Sequence, residues 1–200
     1  MKLIAWDFDG VLNRGFEGGF DLWQSSFEAD LGIPAAPFTA YMFQAPQFAE
    51  VLTGQRNLLS LLNDYITSHD VPHSAGALLE YWLSKDANPD PQVMTWLRSC
   101  KTPGVIATNN ETHRAGYIWH RMGFSGHMQH IFASGRMGVK KPDAGFFDQI
   151  ERWSALDPGD ILLIDDAEKN INAASARGWQ IFHFTDQSRD SLPKVLGISP

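Results

Sequence analysis

Apolar residues recur along this chain in short unbroken runs. Leu3 to Trp6, Gly104 to Thr108, His130 to Ala133, Ile161 to Ile164 and Gln180 to Phe184 are of strand length and lack polar alternation. That is the pattern of parallel strands buried on both faces. Stretches of helical periodicity lie between the later runs: Glu111 to Met122 closed by Gly123, Pro142 to Trp153, and Glu168 to Arg177 closed by Gly178. A glycine after the last turn and a proline near the first are ordinary helix punctuation. The alternation predicts an α/β fold, a doubly wound parallel sheet with right-handed crossovers. Ligands of such sheets bind beyond the carboxyl ends of the strands. Asp7, Thr108 and Asp165 stand at such ends.

The gap between the first two runs is too long for one crossover. Residues 15–91 are predicted to form an inserted helical cap domain on a core of residues 1–14 and 92–200. Trp23, Phe27 and Leu31 recur at helical spacing, as do Leu58, Leu61, Leu62 and Tyr65, then Leu78, Leu79, Trp82 and Leu83. These stripes read as the insert's own core. Phe16, Phe20, Trp23 and Tyr41 are candidates for an apolar wall over the site. Gly15, Gly18 and Gly19 on one side, and Asn88-Pro89-Asp90-Pro91 on the other, read as hinge segments on which the insert opens and closes. The polar stretch from Asp186 onward reads as a short helix or tail.

Composition narrows the partners. The 200 residues carry a formal charge of −7, with no basic cluster beyond Lys140-Lys141. This argues against nucleic acid and against anionic membranes. An anionic substrate would need local positive charge at its site. Cys100 is the single cysteine, so no intrachain disulfide forms, which suits a reducing cytoplasm. The N-terminal apolar run is short and broken by Asp7 and Asp9, unlike a signal peptide, and no run is long enough to cross a bilayer. A cytoplasmic protein is expected.

Four segments carry candidate chemistry. In Asp7-Phe8-Asp9-Gly10 two acids lie one residue apart after a strand. If extended geometry persists past Trp6, both carboxylates point the same way. Their repulsion is tolerable when one is protonated or a cation sits between them. Thr108-Asn109-Asn110 places a hydroxyl before a helix N-terminus, where free N–H groups favour anions. Lys140-Lys141-Pro142-Asp143 brings lysine up to a helix-opening proline. Asp165-Asp166 puts two acids at the end of a buried strand, costly unless paired or metal-bound. His113 and His120 could share a helix face, but no cysteine or acid completes a zinc set. Trp119 and Trp153 read as packing residues.

In this order the four segments resemble the signatures of the haloacid dehalogenase-like superfamily, over about residues 1–14 and 92–185. The insert resembles that family's helical cap of the first type. The resemblance implies a Rossmann-like core and, in its phosphatase branch, hydrolysis of a small phosphorylated metabolite such as a sugar phosphate through an aspartyl-phosphate intermediate. It implies Asp7 as nucleophile and Asp9 as general acid/base. It implies Mg²⁺ held by the Asp7 carboxylate, the Asp9 carbonyl and Asp166, with Asp165 a supporting acid or an alternative ligand. Thr108 and the Asn109 backbone N–H would grip the phosphoryl oxygens. Lys141, the lysine directly before the proline, would neutralise phosphate and Asp7, with Lys140 as competitor. A phosphoglucomutase-like phosphotransferase keeps the same residues. A dehalogenase usually lacks an acid where Asp9 stands, and a non-catalytic binding protein on this fold would not need the full set.

Overall fold

Among the described residues, five of seven strands form one parallel sheet. In chain order the strands are β1 (Leu3–Trp6), β2 (Phe16–Glu17), β3 (Phe20–Asp21), β4 (Gly104–Thr108), β5 (Ile131–Ala133), β6 (Ile161–Asp165) and β7 (Gln180–His183). β2 and β3 pair as a separate antiparallel hairpin, and the sheet order is β5-β4-β1-β6-β7. The computed structural model describes residues 1–14, 16–17, 20–24, 26–44 and 46–198, with 16–17, 20–22 and 44 described by backbone alone.

Alternation along the strands splits the core in two. Ile4, Trp6, Ile106, Leu162 and Ile164 join one buried cluster, while Leu3, Ala5, Val105, Ala107 and Leu163 join the other. Both faces are covered, which is why the runs show no polar alternation. The strand order reverses at β1: β4 and β5 lie on one side, β6 and β7 on the other. A crevice therefore opens between the carboxyl ends of β1 and β6.

Between β3 and β4 come α1 (Phe27–Leu31), α2 (Ala35–Thr39), a π-helical turn (Ala40–Gln44), α3 (Pro46–Leu52), α4 (Leu58–His69), α5 (Ala75–Lys85) and α6 (Pro91–Ser99). Asn57 caps α4 by accepting from the Leu59 N–H, and Ser74 caps α5 by accepting from the Ala77 N–H. The predicted stripes meet in a third cluster around Trp23, Phe27, Phe38, Leu62, Tyr65 and Trp82. Tyr41 packs edge-on against Tyr65 in it, at 5.1 Å between ring centroids.

The second flank of this unit differs from the expected hinge. Asp90 is the N-cap of α6, accepting from the Gln92 and Val93 N–H groups, with Pro91 as first helical residue. Val93, Met94 and Leu97 bury into the sheet's core. Arg14 and Arg189 both grip the Asp90 carboxylate, at 2.6 Å each. Burial opposes that charge, but the two arginines and the Val93 N–H outweigh it and hold the pKa below the usual carboxylate range. Asn-Pro-Asp-Pro is thus a helix start, whose cap and proline mimic a loop in sequence. The two chain crossings lie side by side: the Arg14 N–H donates to the Asn88 carbonyl at 2.7 Å, and the Asp90 N–H to that of Leu12 at 2.9 Å. Gly15, Gly18 and Gly19 lie outside the described residues.

The rest of the chain adds α7 (Thr112–Gly116), which continues as a π-helical turn (Tyr117–Arg121), α8 (Ser134–Met137), α9 (Ala144–Ser154), α10 (Glu168–Ala176) and α11 (Leu192–Val195). Pro142 precedes α9 by two residues rather than opening it. The polar end of the chain is anchored, because Leu192 and Leu196 bury into the core. Trp119 packs partly buried on that core, whereas Trp153 is 44 % exposed and stacks on His130. No described helix is long and apolar enough to cross a membrane.

Candidate active site

Asp7 follows β1 and extends its ladder, its N–H donating to the Ile164 carbonyl at 2.8 Å. Its Oδ1 accepts from the Phe8 N–H at 2.7 Å, and its Oδ2 lies 3.0 Å from Lys141 Nζ. Asp165 ends β6, fully buried, 2.5 Å from the same Nζ. It also accepts from the Ala167 N–H and from Asn170 Nδ2, at 2.9 Å each. Asp166 is exposed, and no described side chain hydrogen-bonds its carboxylate. Carboxylate oxygens of Asp7, Asp165 and Asp166 lie within 4.8 Å of one another.

Two of the three acids share one buried cation. Burial pushes the Asp7 carboxyl well above the usual carboxylate range; Lys141 pulls it down, and Asp165 and Asp166 push it further up. Burial and then Asp165 raise Asp166 as well. Burial works against the Lys141 charge, but Asp7 and Asp165 prevail and hold the ammonium above its ordinary value. The excess negative charge calls for a second cation. An all-oxygen carboxylate set suits a hard divalent ion such as Mg²⁺. With Asp165 engaged by Lys141, Ala167 and Asn170, Asp166 is the acid left free for it.

Asp9 departs from the expected geometry. β1 ends at Trp6, and the chain turns so that Asp9 bridges to Asn13. The Asp9 carboxylate is not in the acidic cluster. Its Oδ1 accepts from Arg114 Nη2 at 2.6 Å and its Oδ2 from Asn110 Nδ2 at 2.8 Å. The repulsion within the pair is relieved by sending each acid to a different cation, Asp7 to Lys141 and Asp9 to Arg114.

Gly10 makes the turn possible, with φ +81°. A Cβ there would lie 2.3 Å from Asp166 Oδ2. Gly10→Ala is expected to cost about 1–2 kcal/mol from the left-handed backbone and to displace Asp166. Affinity for Mg²⁺ should fall by about 10- to 100-fold, the scale for disturbing a ligand's support. Melting temperatures and a calorimetric Mg²⁺ titration check both effects.

The remaining expected residues also gather here. Thr108, fully buried at the end of β4, accepts from Asn110 Nδ2 at 2.7 Å. The Asn109 side chain pairs with the Lys141 backbone twice, donating at 2.9 Å and accepting at 2.8 Å. That pairing holds the loop that delivers Lys141. Lys141, not Lys140, is the lysine that reaches the acids.

Sequence reading missed Asn13, Asp86, Glu111 and Arg114, and gave Asn110 no role of its own. Arg114 is buried between Asp9 and Asp86, bonded to both. Glu111 caps α7, accepting from the His113 and Arg114 N–H groups; burial raises its pKa against those bonds. Asn13 donates to the Asp86 carbonyl and accepts from the Asn88 N–H, at 2.8 Å each. A Glu three residues before an Arg at a helix start was the one local signal available. Beside Asp9 and Gly10 a cavity of about 260 Å³ opens, walled on its far side by Trp23, Phe43, Phe48, Leu52 and Trp82. Trp23 alone of the proposed wall residues is placed there. Tyr41 is in the helical cluster, and the Phe16 and Phe20 side chains lie outside the described residues.

A family model described as haloacid dehalogenase-like hydrolase matches residues 1–178. A sesquiterpene phosphatase, astK, of Aspergillus oryzae is 30% identical over 107 residues, 49% of this chain and 52% of that protein. The match spans about half the length, or less, of the curated relatives found. A HAD-like family hydrolase from Porphyromonas gingivalis superposes with TM-score 0.75 at 14% identity, covering 100% of this chain and 99% of that one. A HAD family enzyme from Bacteroides thetaiotaomicron, in complex with magnesium and inorganic phosphate, superposes at 0.74 with 15% identity, over 92% and 94% of the two chains. At these identities the solved structures show the fold.

Proposed function

Because the chain belongs to the haloacid dehalogenase-like hydrolase family, we propose that it is a Mg²⁺-dependent phosphatase of a small phosphorylated metabolite. The single observation that supports this best is Lys141, buried and shared by Asp7 and Asp165 beside a free Asp166. An anionic nucleophile meets an anionic phosphate only where fixed positive charge offsets both. The relative named a phosphatase, and the phosphate-bound neighbour, support the same ester class.

In this reading Asp7 attacks phosphorus, the bond to the leaving alcohol oxygen breaks, and Asp9 supplies that oxygen with a proton. Water then attacks the aspartyl phosphate while Asp9 takes its proton, freeing inorganic phosphate and restoring Asp7. Arg114 and Asn110 hold the Asp9 side chain at the cavity. Thr108 and the Asn109 backbone N–H bind phosphoryl oxygens. Asp7, Asp166 and the Asp9 carbonyl would hold Mg²⁺, which supplies charge neutralisation when bound, with Asp165 fixing Lys141 instead. The single cysteine suits a reducing cytoplasm.

The test is inorganic phosphate release from a panel of phosphomonoesters, with and without Mg²⁺. Release without any added acceptor separates hydrolysis from a mutase's transfer. No Mg²⁺-dependent release from any ester would sink the proposal. Independently of turnover, Mg²⁺ should raise the melting temperature, by about 2.7 kcal/mol of stability at 100-fold excess over its Kd. Asp166→Asn should lose most of that shift in differential scanning fluorimetry.

A further inference from the structure

We infer that the alcohol portion of the substrate is an apolar chain rather than a sugar, a refinement that rests on the phosphatase reading above. The cavity beside Asp9 has a floor of polar groups and a wall of five apolar side chains, Trp23, Phe43, Phe48, Leu52 and Trp82. The wall comes from the helical unit. Among the described residues these five side chains carry no carboxylate, amide or hydroxyl, and their polar atoms are the indole N–H groups of Trp23 and Trp82.

The floor is polar, and its amide and guanidinium donors are largely engaged. The Asn109 amide is spent on both sides of the Lys141 backbone. The Asn110 amide donates to Asp9 and Thr108. Arg114 is bonded to Asp9 and Asp86, and Glu111 to the first N–H groups of its own helix. Two groups on this lining lack partners, Trp82 Nε1 and Arg114 Nε, and both are donors. A sugar carries several hydroxyls, each needing an acceptor as well as a donor once water is excluded. Against this wall those hydroxyls would be desolvated without replacement. An alkyl or isoprenoid chain loses nothing there and gains contact with four aromatic rings and a leucine.

Burial of apolar surface gives the test its scale. Each buried methylene is worth about fourfold in binding. Phosphate release is therefore measured with Mg²⁺ on ethyl, butyl and hexyl phosphate and on glucose 6-phosphate. The expected result is a kcat/KM that rises about fourfold per methylene, roughly 100-fold or more from ethyl to hexyl, with glucose 6-phosphate well below hexyl phosphate. Phe48→Ala and, separately, Leu52→Asn should flatten that slope. Phe48 and Leu52 are only partly buried, so these changes spare the fully buried core. Hydrolysis with a flat or falling chain-length series, or with glucose 6-phosphate preferred, overturns the apolar assignment and leaves the phosphatase reading standing. Release from none of the four esters, nor from the broader panel, overturns the phosphatase reading and this inference with it.

Discussion

Asp7→Asn is expected to abolish phosphate release while making the folded protein more stable at pH 7. Loss of a nucleophile costs on the order of 10⁵- to 10⁶-fold in rate where it has been dissected. The amide keeps the shape and the neutral hydrogen bonds of Asp7 but cannot attack phosphorus. The stability effect follows from the pKa. Burial raises the Asp7 carboxyl well above its ordinary value of 3.8. A carboxyl raised on folding lends its stability in full below the unfolded value, and that stability is lost as the pH rises through the folded value. At pH 7, without Mg²⁺, wild type bears the cost that this raised pKa reports, and asparagine does not. The variant should melt higher, by about 2–4 °C for each kcal/mol relieved. The gap should close on acidification, when wild-type Asp7 is itself protonated. Melting curves of both proteins across the pH range, beside single-turnover phosphate release, check the pair of effects. Full activity in the variant would remove Asp7 from the nucleophile's role.

Lys141→Ala should damage both function and fold. Nζ lies 3.0 Å from Asp7 and 2.5 Å from Asp165, and neither lysine nor Asp165 has appreciable exposure. Breaking a buried pair by removing one partner costs about 3–5 kcal/mol, because an uncompensated charge is left behind. Removing a preorganised charge at a reacting centre costs on the order of 10²- to 10³-fold in rate. The two losses separate in a double variant. Lys141→Met with Asp165→Asn removes both charges, so urea denaturation should show most of the stability returning while activity stays low. If the single variant unfolds at the same urea concentration as wild type, the buried triad is not holding the loop. Lys141 also predicts a limit on the alkaline side. Its raised pKa contributes stability that is complete below 10.5 and is lost as the pH climbs through the higher folded value.

What could be read from sequence depended on how local each signal was. β1, β4 and β6 are legible because both faces are covered, so they carry no polar residue before the Thr108 and Asp165 that end β4 and β6. Asp7, Thr108 and Asp165 are legible because strand ends in such a sheet face the crevice. α6 was hidden: its Asp90-Pro91 start is a cap followed by an N1 proline, and the same dipeptide marks turns. The anchored tail was hidden because Leu192 and Leu196 form one helical contact amid polar residues. At the site, the Asp9 carboxylate was aimed wrongly, since period-two alternation stops where Gly10 turns the chain. Arg114 and Asn110 meet Asp9 across separations of 105 and 101 residues. Those contacts depend on tertiary placement that no spacing encodes. The same holds for the cavity wall, where Phe43, Phe48 and Leu52 are ordinary helix residues until the unit is docked.

The paired crossings beneath the helical unit bear on how such a molecule changes over generations. Asn13 and Asn88 are 75 residues apart in sequence yet joined by a 2.8 Å hydrogen bond. Everything between them is a closed excursion from one point on the rim of the sheet. Closing a longer excursion costs only about 0.6 kcal/mol per doubling of its length. The register of the strands and the acids at their ends therefore place little constraint on the excursion beyond Asp86, which holds Arg114 against Asp9. On the proposed function, mutation can redraw the wall facing the leaving alcohol while the acids at the strand ends stay fixed. Substrate choice and bond-breaking chemistry would then be inherited as separable traits.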